Sequence, residues 1–152
     1  MNVLIIEDDV NKLKAIADFV SDYNSNMECT CKSSYQSGMR TLLNEKFDLL
    51  LLDMSMPIYD VANQKTGGRL LALAGRNILF QLRRRNILVP VIIITQYEDF
   101  DGLSSADLDC ELQREFPQLY LGFVYYSITQ DSWKEKLATM LQAKCSGGGR
   151  DL

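Results

Sequence analysis

Four consecutive leucines, Leu49-Leu50-Leu51-Leu52, close on Asp53. The run is too short to span a membrane and long enough for a strand buried on both faces, the kind found in parallel sheets. A second run, Val3-Leu4-Ile5-Ile6, closes on Glu7-Asp8-Asp9 in the same way. Both strands therefore place carboxylates where the chain must turn. In open α/β sheets ligands bind beyond the carboxyl ends of the strands, and grouped carboxylates there attract a hard divalent cation such as Mg2+.

Strand and helix patterns alternate along the whole chain, as in βαβ units closing on a parallel sheet. Strands are predicted over 3–6, 27–32, 47–52, 89–94 and 120–126, with Pro90 tolerable only near a strand start. Helices are predicted over 10–23, 35–44, 69–85, 104–116 and 131–144. The first carries Leu13, Ile16, Ala17 and Val20 on one face. Gly75 is expected to kink the third, and Thr129 or Asp131 to cap the last. Residues 95–103 read as a loop. The sum is a doubly wound α/β domain over 1–145, with a lengthened segment at 58–75 and a flexible Ser/Gly-rich tail over 146–152.

With 152 residues the chain has room for one domain. Apolar content of 47% and charged content of 24% are ordinary for a soluble domain, and a formal charge of -4 argues against general affinity for nucleic acid or anionic membrane. Arg83-Arg84-Arg85, the one basic run, falls at a helix end, where cations complement the dipole. The chain has no histidine, which removes Ser-His-Asp and Cys-His catalysis, histidine metal ligation and phosphohistidine chemistry. Cys29, Cys31, Cys110 and Cys145 form no Cys-x-x-Cys pair and read as thiols of a reducing, cytoplasmic compartment. Charges at Glu7, Asp8, Asp9, Lys12, Lys14 and Asp18 exclude a signal peptide or a membrane span at the start.

The order of these landmarks, from Asn2 to about Lys144, resembles the receiver domain of two-component response regulators. Glu7-Asp8 resembles the family's acidic pair for Mg2+, Asp53 in Leu-Leu-Asp-Met-Ser-Met-Pro its phosphoacceptor, and Thr95 after Val-Ile-Ile-Ile its switch hydroxyl. Val124-Tyr125-Tyr126-Ser127-Ile128-Thr129, followed by Trp133-Lys134-Glu135-Lys136-Leu137, resembles the last strand and helix. The resemblance implies a flavodoxin-like sheet of five parallel strands in the order 2-1-3-4-5 with five flanking helices. It also implies Mg2+ held by Glu7, Asp8, Asp53 and the backbone carbonyl of Ser55. Phe123 resembles the switch aromatic, and a role in the sheet core suits it equally.

The chain departs from the family where a lysine and a proline are usual, having Tyr126 and Ser127 instead. A charge-assisted hydrogen bond contributes about 1.5–3 kcal/mol and a neutral one about 0.5–1.5, so Tyr126 or Ser127 standing in is expected to weaken phosphoryl binding about tenfold. Without a nearby ammonium the three carboxylates are expected to repel, raising one pKa and making occupancy depend more on Mg2+. Gln96 replaces the small residue usual after the switch threonine and crowds the site. Thr95 lies 42 positions beyond Asp53, about a dozen more than is usual, and the surplus is read as a lid or partner surface over 58–68.

The implied function is a stand-alone atypical receiver that takes a phosphoryl group on Asp53 from a sensor histidine kinase or phosphotransfer protein. It would signal to a downstream protein through its fourth helix, fifth strand and fifth helix, the face that would also form a homodimer. The alternative is a pseudo-receiver, an interaction module without a phosphorylation cycle. A third reading, a Mg2+-dependent phosphohydrolase with Asp53 as nucleophile, meets Ser55 where haloacid-dehalogenase-like enzymes place a second acid.

Overall fold

The computed structural model describes residues 1–60, 70–100 and 102–148. Its centre is a five-stranded parallel sheet built from β1 (Asn2–Ile6), β2 (Glu28–Lys32), β3 (Leu49–Leu52), β6 (Val91–Thr95) and β9 (Tyr120–Tyr125). Two short antiparallel ribbons lie outside it: β4 (Met56–Pro57) with β5 (Leu70–Leu71), and β7 (Asp99–Phe100) with β8 (Leu103–Ser104). The sheet order is β2-β1-β3-β6-β9, which is the expected 2-1-3-4-5 counted over sheet strands alone. Every residue of β3 and β6 is buried, as strands covered on both faces require.

Alternation along the strands divides the core in two. Leu4, Ile6, Leu50, Leu52, Val91 and Ile93 face α2 (Tyr35–Asn44), α3 (Ala74–Arg84) and α4 (Ser105–Glu115). Val3, Ile5, Leu49, Leu51, Ile92 and Ile94 face α1 (Val10–Tyr23) and α5 (Ser132–Gly148). Successive strand residues point to opposite faces, so two helical layers share one sheet. Arg83 and Arg84 lie in the last turn of α3; Arg83 donates to the Glu115 carbonyl at 2.9 Å and stacks over Phe116.

Four expectations are corrected. The helix expected over 69–85 starts only at Ala74, because Leu70 and Leu71 pair with Pro57 and Met56 instead. Gly75 does not kink it. It sits in the first turn, where a Cβ would meet Leu52 Cδ1 at 2.6 Å and the Asp53 carbonyl oxygen at 3.1 Å, so only glycine lets α3 come this close to the end of β3. Gly75→Ala is accordingly expected to destabilise by about 1–3 kcal/mol, measurable in a urea melt. The loop expected over 95–103 begins instead with Thr95 inside β6 and contains the β7–β8 ribbon. At the C-terminus α5 extends through Gly148, past the start of the tail expected at 146, since each added helical residue brings one more backbone bond. The remainder of that tail lies outside the described residues.

Candidate functional site

Register brings the acids together. Ile6 pairs with Leu52 and Leu52 with Ile93, so Glu7, Asp53 and Ile94 follow side by side at one end of the sheet. The Asp53 N–H donates to the Ile6 carbonyl and the Glu7 N–H to the Lys32 carbonyl, continuing the ladder to the edge of the site. Glu7 and Asp53 are buried and Asp8 half-buried. Each of the three offers a carboxylate oxygen, and these oxygens lie within 4.8 Å of one another. That is a separation one hard cation can span, and the donors are all oxygen, which suits Mg2+.

The third acid of the first strand end has another task. Asp9 caps α1, its Oδ1 accepting from the N–H groups of Asn11 and Lys12, while its own N–H donates to Glu7 Oε1 at 3.1 Å. Asp9→Ala should therefore cost about 1 kcal/mol in thermal stability and loosen Glu7 as well.

The expectation that no ammonium stands near these carboxylates is wrong. Lys12 is only 1% exposed, and its Nζ lies 2.6 Å from Glu7 Oε2, 3.0 Å from Asp53 Oδ2 and 2.8 Å from the Ile94 carbonyl oxygen. The other oxygen of Asp53 accepts from the Met54 N–H at 2.7 Å. Burial opposes the charge on Lys12, yet the carboxylates of Asp53 and Glu7 together hold its ammonium above the usual lysine value. Burial also pushes Glu7 up, to about 8, with Lys12 opposing and Asp53 adding to the shift. The signal was present in the sequence. Lys12, Ile16 and Val20 are the buried residues of α1, spaced by four, so a lysine continued the apolar stripe at the turn nearest the acids.

Tyr126 is buried, but its ring packs within the α1 and α5 layer, 5.1 Å from Trp133, with Lys12 Nζ 5.7 Å from its centroid. It roofs the lysine rather than replacing it. The Ser127 hydroxyl lies 3.2 Å from that of Thr129 and accepts from the Thr129 N–H. Thr95 is wholly buried at the end of β6, its hydroxyl oxygen accepting from the Tyr97 N–H and its carbonyl from the Tyr126 N–H. A hydroxyl that accepts still has its own proton to donate. Gln96 is half-buried at the rim. Phe123 is half-buried against the α2, α3 and α4 layer, with Lys136 Nζ 5.9 Å from its ring. The Ser55 hydroxyl donates to the Ala72 carbonyl at 2.9 Å.

The segment read as a lid is described only at its start. There the Ile58 carbonyl accepts from the Gln36 N–H, and the Asp60 carboxylate accepts from the hydroxyls of Ser33 and Ser37. These bonds tie the chain after β4 to the N-terminus of α2. Residues 61–68 of the expected lid lie outside the described residues.

The family model for the response regulator receiver domain matches residues 3–110. The chain belongs to that family. Most of its length is similar to curated and solved receivers. The Detocs response regulatory protein DtcB of Enterobacter cloacae is 29% identical over 143 residues, covering 90% of this chain and 95% of its own. The crystal structure of a response regulator receiver domain protein from Clostridium thermocellum superposes with a TM-score of 0.65 at 18% identity, over 99% of this chain and 98% of that one. The response regulator TrrA of Thermotoga maritima, solved in complex with Mg(2+)-BeF, gives 0.59 at 17% identity, over 91% and 97%. As a receiver, the chain is of a signalling class rather than a typical catalytic one, and among its described residues no helix is long and apolar enough to cross a membrane.

Proposed function

We propose that this receiver is a phosphoacceptor: Asp53 takes a phosphoryl group from a histidine kinase or phosphotransfer protein, and a separate effector protein reads the result. One observation carries the reading. Asp53 ends the central strand, buried, beside Glu7 and Asp8 and in contact with an ammonium that offsets their charge. A carboxylate can serve as a phosphoryl-accepting nucleophile once negative charge around it is balanced. Mg2+ would be held by Glu7, Asp8, Asp53 and the Ser55 backbone carbonyl, and would supply charge neutralisation between carboxylate and incoming phosphate. Thr95 would donate its hydroxyl proton to a phosphoryl oxygen, with Gln96 at the rim, Phe123 on the flanking strand β9 and Tyr126 just past its end.

The DtcB relative, matched over 95% of its length, is itself of receiver size, which supports readout by a separate protein. The face formed by α4, β9 and α5 is the surface we assign to that effector or to a second copy. A single receiver domain running to the end of α5, and a cytoplasmic location, complete the reading. Free Cys29, Cys31 and Cys110 fit a reducing compartment.

A second reading, a phosphorylation-independent interaction module, draws on Tyr126 and Ser127, neither of which offers a cation. Lys12 weakens that argument by supplying one from elsewhere. The deciding experiment is intact mass after incubation with Mg2+ and acetyl phosphate. A single phosphoryl adduct, absent in Asp53→Asn, supports the phosphoacceptor. No adduct supports the interaction module, and continuous phosphate release a phosphohydrolase.

A further inference from the structure

We propose that Lys12, carried on α1, is the cation that pairs with the phosphoryl group on Asp53, and that in doing so it releases the Ile94 carbonyl at the end of β6. The inference rests on the phosphoacceptor reading above. An ammonium has three N–H donors. In the resting protein it donates to Asp53 Oδ2 and to the Ile94 carbonyl oxygen and is ion-paired with Glu7 Oε2 at 2.6 Å. With the lysine 1% exposed and three oxygens within 3.0 Å of its Nζ, a new acceptor is engaged by displacing one of them.

The transfer itself is balanced without a proton from Lys12. A carboxylate oxygen of Asp53 attacks the phosphorus of acetyl phosphate, the bond from phosphorus to the acetate oxygen breaks, and acetate leaves with the electron pair. The product places a dianionic group within reach of an ammonium already 3.0 Å from the attacking carboxylate. With Glu7 ionised, as holding a cation requires, the carbonyl is the only neutral one of the three resting partners, and hydrogen bonds to charged acceptors are the stronger. Ile94 is therefore the partner surrendered. Its carbonyl immediately precedes Thr95, whose own carbonyl accepts from Tyr126, and Tyr126 packs on Trp133. Loss of one bond at Ile94 thus reaches the joint between β6, β9 and α5. Tyr126 roofs the lysine at 5.7 Å, which accounts for a ring in a place where a second cation would face Lys12.

Wild type, Lys12→Met and Lys12→Met/Tyr126→Lys are each treated with Mg2+ and acetyl phosphate. Adduct is followed against time by intact mass, and Trp133 emission is recorded alongside. Lys12→Met is expected to slow adduct formation about tenfold or more and to abolish the emission change that accompanies it in wild type. The double variant, which returns an ammonium to the site from the residue after β9, is expected to recover most of the rate. Equal rates in wild type and folded Lys12→Met would overturn the inference while leaving the phosphoacceptor intact. Absence of adduct in wild type would remove both. If Lys12→Met does not fold, the double variant decides: folded and phosphorylated supports the inference, folded and inert overturns it.

Discussion

Lys12→Met is expected to lower unfolding free energy by about 3–5 kcal/mol in the absence of divalent cation, among the largest losses any single substitution in this chain should produce. Methionine fills nearly the same volume, so the loss does not come from a cavity. It comes from leaving the Glu7 and Asp53 carboxylates, 2% and 3% exposed, facing one another with no positive partner. Glu7, already held up by burial, can take a proton and limit the damage, which favours the lower end of the range. Saturating Mg2+ should then restore the variant by more than it stabilises wild type, because the ion replaces the missing charge. Urea melts with EDTA and with Mg2+ measure both quantities. A loss of the same size under both conditions would mean that Lys12 serves packing alone.

Glu7→Gln/Asp8→Asn should abolish the response to Mg2+ while preserving the fold. Both changes keep shape and remove charge. Each contact between a carboxylate and a cation is a charge-assisted interaction of about 1.5–3 kcal/mol, so losing two weakens binding by about 100-fold or more. A calorimetric titration of the folded double variant checks this. Undiminished affinity would place the ion somewhere other than the ends of β1 and β3.

The sequence made the sheet and two of its acidic ends readable because four buried leucines and a neighbouring apolar strand leave few alternatives. Glu7, Asp8 and Asp53 were legible for the same reason: a buried parallel strand fixes where its last residue points. The role of Asp9 was not, because capping depends on where α1 begins rather than on residue type. Lys12 was missed for a physical reason. A lysine on a helix is ordinarily solvated, and its burial becomes sensible only when the acids that neutralise it are placed beside it, a tertiary fact. The start of α3 was missed because Leu70 and Leu71 suit a helix face as well as a ribbon, and the choice was made by pairing with β4. Tyr126 stands where a cation is expected, but the absence of an ammonium does not follow from it, since Lys12, 114 positions earlier in the chain, meets the acids from α1.

The most direct measurement is chemical. After treatment with Mg2+ and acetyl phosphate, borohydride reduces an aspartyl phosphate to homoserine, and peptide sequencing by mass locates it. Homoserine is expected at position 53, with Glu7 and Asp8 unaltered. Homoserine at another aspartate, or none with Asp53 demonstrably intact after prolonged treatment, would contradict it.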